Sequence, residues 1–105
     1  LENAVYAILS PEGFASILWR DAGRHEEACE LMKLTAPDLL AMGVADDVIP
    51  EPEGGAHLAP EQTFRELDRA LSRHLAPLLK ESGPVLAEKR WQKFRKMGAS
   101  PKEEA

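Results

Sequence analysis

A single cysteine, Cys29, among 105 residues leaves no internal disulfide to form and no cysteine cluster to hold zinc, the pattern of a chain that works in a reducing compartment. Long apolar runs are missing too. Although 44% of the residues are hydrophobic, nothing nears the roughly 20 consecutive apolar residues that a membrane helix needs. The first residue is Leu1 rather than methionine, and no basic-then-apolar leader precedes Asn3, so we expect no targeting segment and a start that lies inside a longer chain. Aromatic residues are few, at 6%. The familiar chemical signatures are absent as well: there is no glycine-rich phosphate loop, no paired histidines at helical spacing, no Gly-x-Ser-x-Gly elbow and no Cys-x-x-Cys.

The net charge of −5 hides an asymmetry. Residues 1–59 carry three basic against eleven acidic side chains, and residues 60–105 carry ten basic against seven acidic. The basic end is short and interrupted by Glu88, which favours a solvated or partner-facing helix over a nucleic-acid surface.

Along the chain, "AVYAILS" suits a pleated surface and predicts a strand over residues 4–9. "SPEG" then reads as a helix start, with Ser10 as N-cap, Pro11 in the first turn and Glu12 at the positive end of the helix dipole. Phe14, Ile17 and Leu18 form its apolar side and Gly23 its expected end. A second helix places Ala28, Leu31 and Met32 together. A third begins at Thr35, with Asp38 reaching back as in a capping box, is buried through Leu39, Leu40 and Met42, and ends at Gly43. Residues 44–49 predict a second strand, closed by Pro50.

The stretch "VIPEPEGGAH" is then a corner. Pro50 and Pro52 stiffen it, Gly54 and Gly55 let it turn sharply, and His57 precedes the helix start at Pro60. Phe64, Leu67, Leu71, Leu75 and Leu78 follow at spacings of 3, 4, 4 and 3, one stripe on a helix of residues 60–80 that Pro77 should end. Residues 84–97 give a last helix carrying Trp91 and Phe94 among basic residues, and "ASPKEEA" reads as a frayed end. Two short strands make no stable sheet by themselves, so their ladder partners are expected outside this sequence.

Candidate chemistry is thin. An isolated histidine in a turn, as His57 is, usually serves a structural hydrogen bond. His25 and His74 have no partner at metal spacing. Asp46 and Asp47 are neighbours that would face opposite sides of a strand, and Cys29 stands among Glu26, Glu27 and Glu30, surroundings that repel a thiolate nucleophile.

Three separated stretches, "ENAVYAILSPEGFASILWRDA", "LKLTAPDLLAMGVADDVIPEPEGGAH" and "RWQKFRKMG", closely resemble the C-terminal end of the carboxyltransferase α subunits of bacterial-type acetyl-CoA carboxylases. The resemblance runs in order over essentially the whole chain. It implies an α/β class, the C-terminal portion of a crotonase-like fold, mostly helical with about two short strands. Residues 1–59 would end the carboxyltransferase core and residues 60–105 form a helical extension that reaches over a neighbouring subunit. It also implies transfer of a carboxyl group from carboxybiotin, on a biotin carboxyl carrier protein, to acetyl-CoA, giving malonyl-CoA for fatty-acid synthesis in the cytoplasm.

No catalytic residue falls in this stretch on that resemblance. The oxyanion-holding amides belong to a glycine-rich segment upstream of the matching residues, so the chain alone should be inactive. Ser10, Glu12 and Gly13 would line the biotin side. Pro50, Pro52, Gly54, Gly55 and His57 would form the corner, and Phe64, Leu67, Leu71, Trp91 and Phe94 a subunit interface. The implied partners are a β subunit, which carries the zinc of this enzyme class, and a second α subunit in an α2β2 assembly. No cofactor, metal, nucleic acid or membrane is expected on this chain itself. Two other readings stay open: a helical protein-interaction module built on Phe64, Leu67, Leu71, Trp91 and Phe94, and a basic-tailed nucleic-acid binder.

Overall fold

Ser10, in extended backbone, accepts the amide of Gly13 through its side chain and opens the first helix, α1, at Pro11–Trp19. The computed structural model describes residues 1–99, so the expected frayed end falls, from Ser100 onward, outside the described residues. Four further helices follow: α2 (His25–Met32), α3 (Ala36–Ala41), α4 (Pro60–Leu78) and α5 (Gly83–Lys96), with 3-10 turns at Ala22–Arg24 and Ala56–Leu58. The chain forms two bodies, Leu1–Glu51 and Pro52–Ala105.

In the first body α1 and α2 pack on each other, and their two fully buried residues are alanines, Ala15 and Ala28. A single methyl at the contact lets two helix backbones approach closely, which larger side chains would prevent. The larger apolar residues expected inside turn outward instead. Ile17 is 74% exposed, and Leu18, Leu31, Leu40 and Met42 are also exposed, while Phe14, Met32 and Leu39 are half-buried.

α1 does not run to Gly23. It stops at Trp19 because Arg20 takes the left-handed conformation (φ 55°) and gives its amide to the Ser16 carbonyl, 2.9 Å away. Asp21 then caps the 3-10 turn by accepting the Gly23 amide at 2.9 Å. At α3 the capping box is also altered. The Thr35 hydroxyl donates to the Asp38 carboxylate at 2.9 Å rather than capping a backbone amide.

Neither expected strand forms among the described residues. Residues 4–9 make one antiparallel bridge, Val5 with Thr35, and one adjacent bond from the Tyr6 amide to the Leu34 carbonyl at 3.0 Å. In the second stretch, Val44 and Ala45 both donate to the Leu39 carbonyl, which spends them on closing α3 beside Gly43 (φ 73°). The residues just before the first stretch meet the end of the second and the residue that follows Pro50. The Glu2 amide meets the Ile49 carbonyl at 2.9 Å, the Glu51 amide meets Glu2 Oε1 at 2.8 Å, and the Asn3 amide meets Glu51 Oε2 at 2.6 Å. Among the described residues the single bridge does not extend into a ladder, and Ile8 stands 95% exposed. The described residues are therefore mostly helical, with two irregular segments, bent at Ile8–Leu9 and at Val44 and Asp46, where strands were expected.

The second body is built on α4. Thr63, buried, donates its hydroxyl toward the carbonyls of Ala56 (3.2 Å) and Ala59 (3.1 Å), tying the 3-10 turn to the first turn of the helix. Pro77 lies inside the last turn, and the helix ends one residue later. α5 has no buried residue.

Candidate functional site

Three groups of residues were singled out by the sequence, and the structure gives each a definite local setting. At the start of α1, Ser10 Oγ lies 3.1 Å from the Gly13 nitrogen, so the hydroxyl oxygen is held by the helix end, while Glu12 stands exposed in the first turn. A side-chain carbon on Gly13 would come 3.3 Å from Ser10 Oγ and 3.5 Å from Leu9 Cδ1, so the glycine keeps this cap uncrowded. Replacing Ser10 by alanine is expected to cost about 1 kcal/mol of stability, the usual loss for a missing N-cap, whereas Ser10→Asp should keep it. Chemical denaturation followed by far-ultraviolet circular dichroism measures both.

At the corner, Gly54 and Gly55 have φ of +85° and +118°, which L side chains rarely adopt. The Gly55 amide donates to the Pro52 carbonyl at 3.0 Å, closing the turn over buried Pro52. The exposed His57 ring folds back toward Gly55, where an added carbon would come 2.9 Å from its Cε1. Pro50 is exposed and lies in the first body, whereas Pro52 to His57 belong to the second. The helix-start group and the turn thus belong to different bodies.

The third group is a surface. Phe64, Leu67, Leu71, Trp91 and Phe94 are all exposed, Phe64 at 65% and Trp91 at 55%. Sequence reasoning named the aromatics of α5 and missed what covers them. The Arg90 guanidinium lies 4.7 Å from the Phe94 ring centre and that of Arg95 lies 5.3 Å from Trp91. A third such pair, Arg24 over Trp19 at 4.0 Å, braces the end of α1, with Arg24 also paired to Glu27 at 2.8 Å. The first two pairs are four residues apart on one helix, a spacing from which they could have been read.

Shallow depressions among the described residues include two. One, of about 340 Å³, is lined by Cys29, Glu30, Lys33, Leu34, Thr35 and Asp38. The other, of about 450 Å³, lies at the start of α4 between Ala59 and Arg65. Neither contains a residue of the three groups. Among the described residues no group of three or more His, Cys, Asp or Glu side chains could hold a metal ion. No described helix is long and apolar enough to cross a membrane.

Comparison with known proteins gives these local settings their context. Residues 1–98 match the family described as acetyl co-enzyme A carboxylase carboxyltransferase-like. The acetyl-coenzyme A carboxylase carboxyl transferase subunit alpha of Shouchella clausii is 48% identical over 105 residues, all of this chain and 32% of its own length. That of Methylobacterium nodulans is 51% identical over 98 residues, 93% of this chain and 31% of its own length. The subunit from Synechococcus elongatus is 50% identical over 97 residues, 92% of this chain and 30% of its length. The chain spans about a third of the length of these curated relatives. With nearly every residue matched by the family and about half of them identical in each relative, the chain belongs to the acetyl co-enzyme A carboxylase carboxyltransferase-like family.

Proposed function

We propose that this chain forms part of a carboxyltransferase α subunit of acetyl-CoA carboxylase, the subunit that helps move a carboxyl group from carboxybiotin to acetyl-CoA and so makes malonyl-CoA. The observation that carries this reading is the match over residues 1–98, supported by identities of 48% and 51% to relatives that carry that subunit name. On this reading the body is a piece of a crotonase-like layered fold. The irregular segments around Val5 and Val48, which lack a ladder here, take strand neighbours from the rest of the subunit. The enzyme works in the cytoplasm with a β subunit, a second α subunit and a biotin carboxyl carrier protein.

The residues of this chain then have positioning roles rather than chemical ones. Ser10, Glu12 and Gly13 face the biotin side of the cleft, where the capped helix end offers a fixed, partly positive surface. The turn at Gly54 and Gly55 sets the direction in which α4 leaves. The amides that steady the developing enolate and the ureido oxyanion come from another part of the subunit, and the chain binds no cofactor or metal of its own.

A chimera tests this. Residues 1–98 replace the corresponding stretch of the Geobacillus kaustophilus α subunit, which is 49% identical over 98 residues. The chimera is purified with the β subunit of that organism, and carboxyl transfer is followed in reverse, from malonyl-CoA to free biotin. Activity within about tenfold of the parent is expected, and the 105-residue chain mixed with the β subunit should fall at least about 100-fold below it for want of oxyanion donors. A soluble chimera that fails to join the β subunit, or that joins it and loses turnover, would overturn the reading. The exposed face of α4 and α5 favours a second reading, a helical interaction module without catalysis, which predicts a chimera with partner binding but no dependence of turnover on residues 1–59.

A further inference from the structure

Residues 1–4 form a turn closed by the Ala4 amide on the Leu1 carbonyl at 3.1 Å, which leaves the two central amides, those of Glu2 and Asn3, for partners outside it. Both are met at residues 49–51. The Glu2 amide donates to the Ile49 carbonyl at 2.9 Å and the Asn3 amide to Glu51 Oε2 at 2.6 Å, while the Glu51 amide donates to Glu2 Oε1 at 2.8 Å. Each glutamate therefore accepts a backbone amide from the other's segment, and two of the three bonds are of the strong, charge-assisted kind.

Hydrophobic burial adds little to this joint. None of residues 1–8 is buried, with Val5 66% and Tyr6 72% exposed. The next attachment along the chain is the bridge of Val5 with Thr35, beside the bond from the Tyr6 amide to the Leu34 carbonyl. The strap of residues 1–4 is thus held to residues 49–51 by directional bonds that a small rotation about Val5 would break together, with little apolar surface newly wetted.

We propose that Glu2 and Glu51 form a two-sided latch, open or shut as one unit, that turns about the Val5–Thr35 bridge and couples the segment leading into the Ser10 helix start to the corner at Pro50. Two physical reasons make it all-or-none. The bonds share one ordering of the two segments, so once one has formed the others close at little further entropic cost. The carboxylates also bring like charges to one place, where each is offset by the amide it accepts, so losing either amide weakens the whole. When the strap lifts, residues 49–51 lose their hold in the same step, and a displacement at one end of the joint is felt at the other. The latch lies within the first body, and the inference goes beyond the carboxyltransferase reading and does not need it.

Amide hydrogen exchange, resolved by NMR on the 105-residue chain, tests this. In Glu2→Ala the Glu51 amide loses its acceptor directly, whereas the amides at positions 2 and 3 keep theirs; a latch requires all three to exchange about tenfold faster or more once intrinsic rates are corrected for. Glu51→Ala should act in the other direction, releasing the amide at position 51 although its acceptor on Glu2 is intact. The double variant should open no further than either single one, the mark of a shared interaction. The Tyr6 amide at the pivot and the amides of α1 should stay within about threefold of the parent, which also shows that these exchanges occur in a folded body. A change confined to the amide whose acceptor was removed, losses that add in the double variant, or an equal loss at Tyr6 would each overturn the inference, as would unprotected Glu2, Asn3 and Glu51 amides in a parent chain whose α1 is protected. Exchange is read without turnover, so any of these results leaves the chimera assay standing.

Discussion

Replacing Ala28 by leucine is expected to lower the melting temperature of the first body by about 10–20 °C. Ala28 is fully buried, as is Ala15 on the helix packed against α2. Three added heavy atoms have no space to occupy where both faces end in a methyl, so either α1 and α2 separate or the side chain is forced off its rotamer. Overpacking of this kind costs about 1–3 kcal/mol, and in a body this small each kcal/mol moves the midpoint by about 4–8 °C. Thermal unfolding by circular dichroism checks it, with Ile17→Ala on the exposed side of α1 as the control that should shift stability by about 0.5 kcal/mol or less. If Ala28→Leu melts with the parent chain, the alanine contact is not what holds this body together.

The second large effect is expected at Gly54. Its φ of +85° excludes a branched side chain, and a carbon placed there would sit 2.5 Å from Leu58 Cδ1. Gly54→Val should therefore destabilise the second body by about 2–3 kcal/mol, the backbone and the crowding acting together. The two contributions separate by design. Because the obstructing atom is the end of a flexible side chain, Leu58→Ala should remove the crowding and leave a residual of about 1 kcal/mol for Gly54→Ala in that background, the left-handed backbone alone. Urea titrations of the parent chain and these four variants give the comparison. Equal losses for Gly54→Ala with and without Leu58 would mean that the leucine already moves aside at no cost.

Local signals in the sequence were read well where one helix settles the matter. The stripe from Phe64 to Leu78 needs only its own spacing to be recognised, and Ser10, Pro11 and Gly13 define their cap within four residues. Where a tertiary choice intervenes, the reading fails. The β-prone stretches at 4–9 and 44–49 have the right side chains for strands, but a strand exists through its neighbours, and Val44 and Ala45 are drawn to the end of α3 instead. The end of α1 was placed at Gly23 because glycine is the usual left-handed residue; Arg20 adopts that conformation three residues earlier. Burial was the least legible property. The conspicuous residues, Ile17, Leu18, Leu31 and Leu40, face outward, and the buried positions fall to alanines, of which the apolar pattern had named Ala28 but not Ala15, Ala36 or Ala70. Of the candidate site, the cap and the corner were visible as turn chemistry, whereas the stacking of Arg90 and Arg95 on the α5 aromatics went unnoticed because each residue was taken alone.

The alanine contact in the first body carries a calorimetric consequence. When α1 and α2 part, no large side chain goes from fully buried to wet, only the half-buried Phe14, Trp19 and Met32 and the alanine methyls, so the rise in heat capacity is small and the denaturant slope shallow for a chain segment of that length. Such a body opens gradually over a wide interval of temperature. Sharp, all-or-none behaviour would have to be conferred by a larger apolar surface pressed against Val5, Ile8 and Ile17.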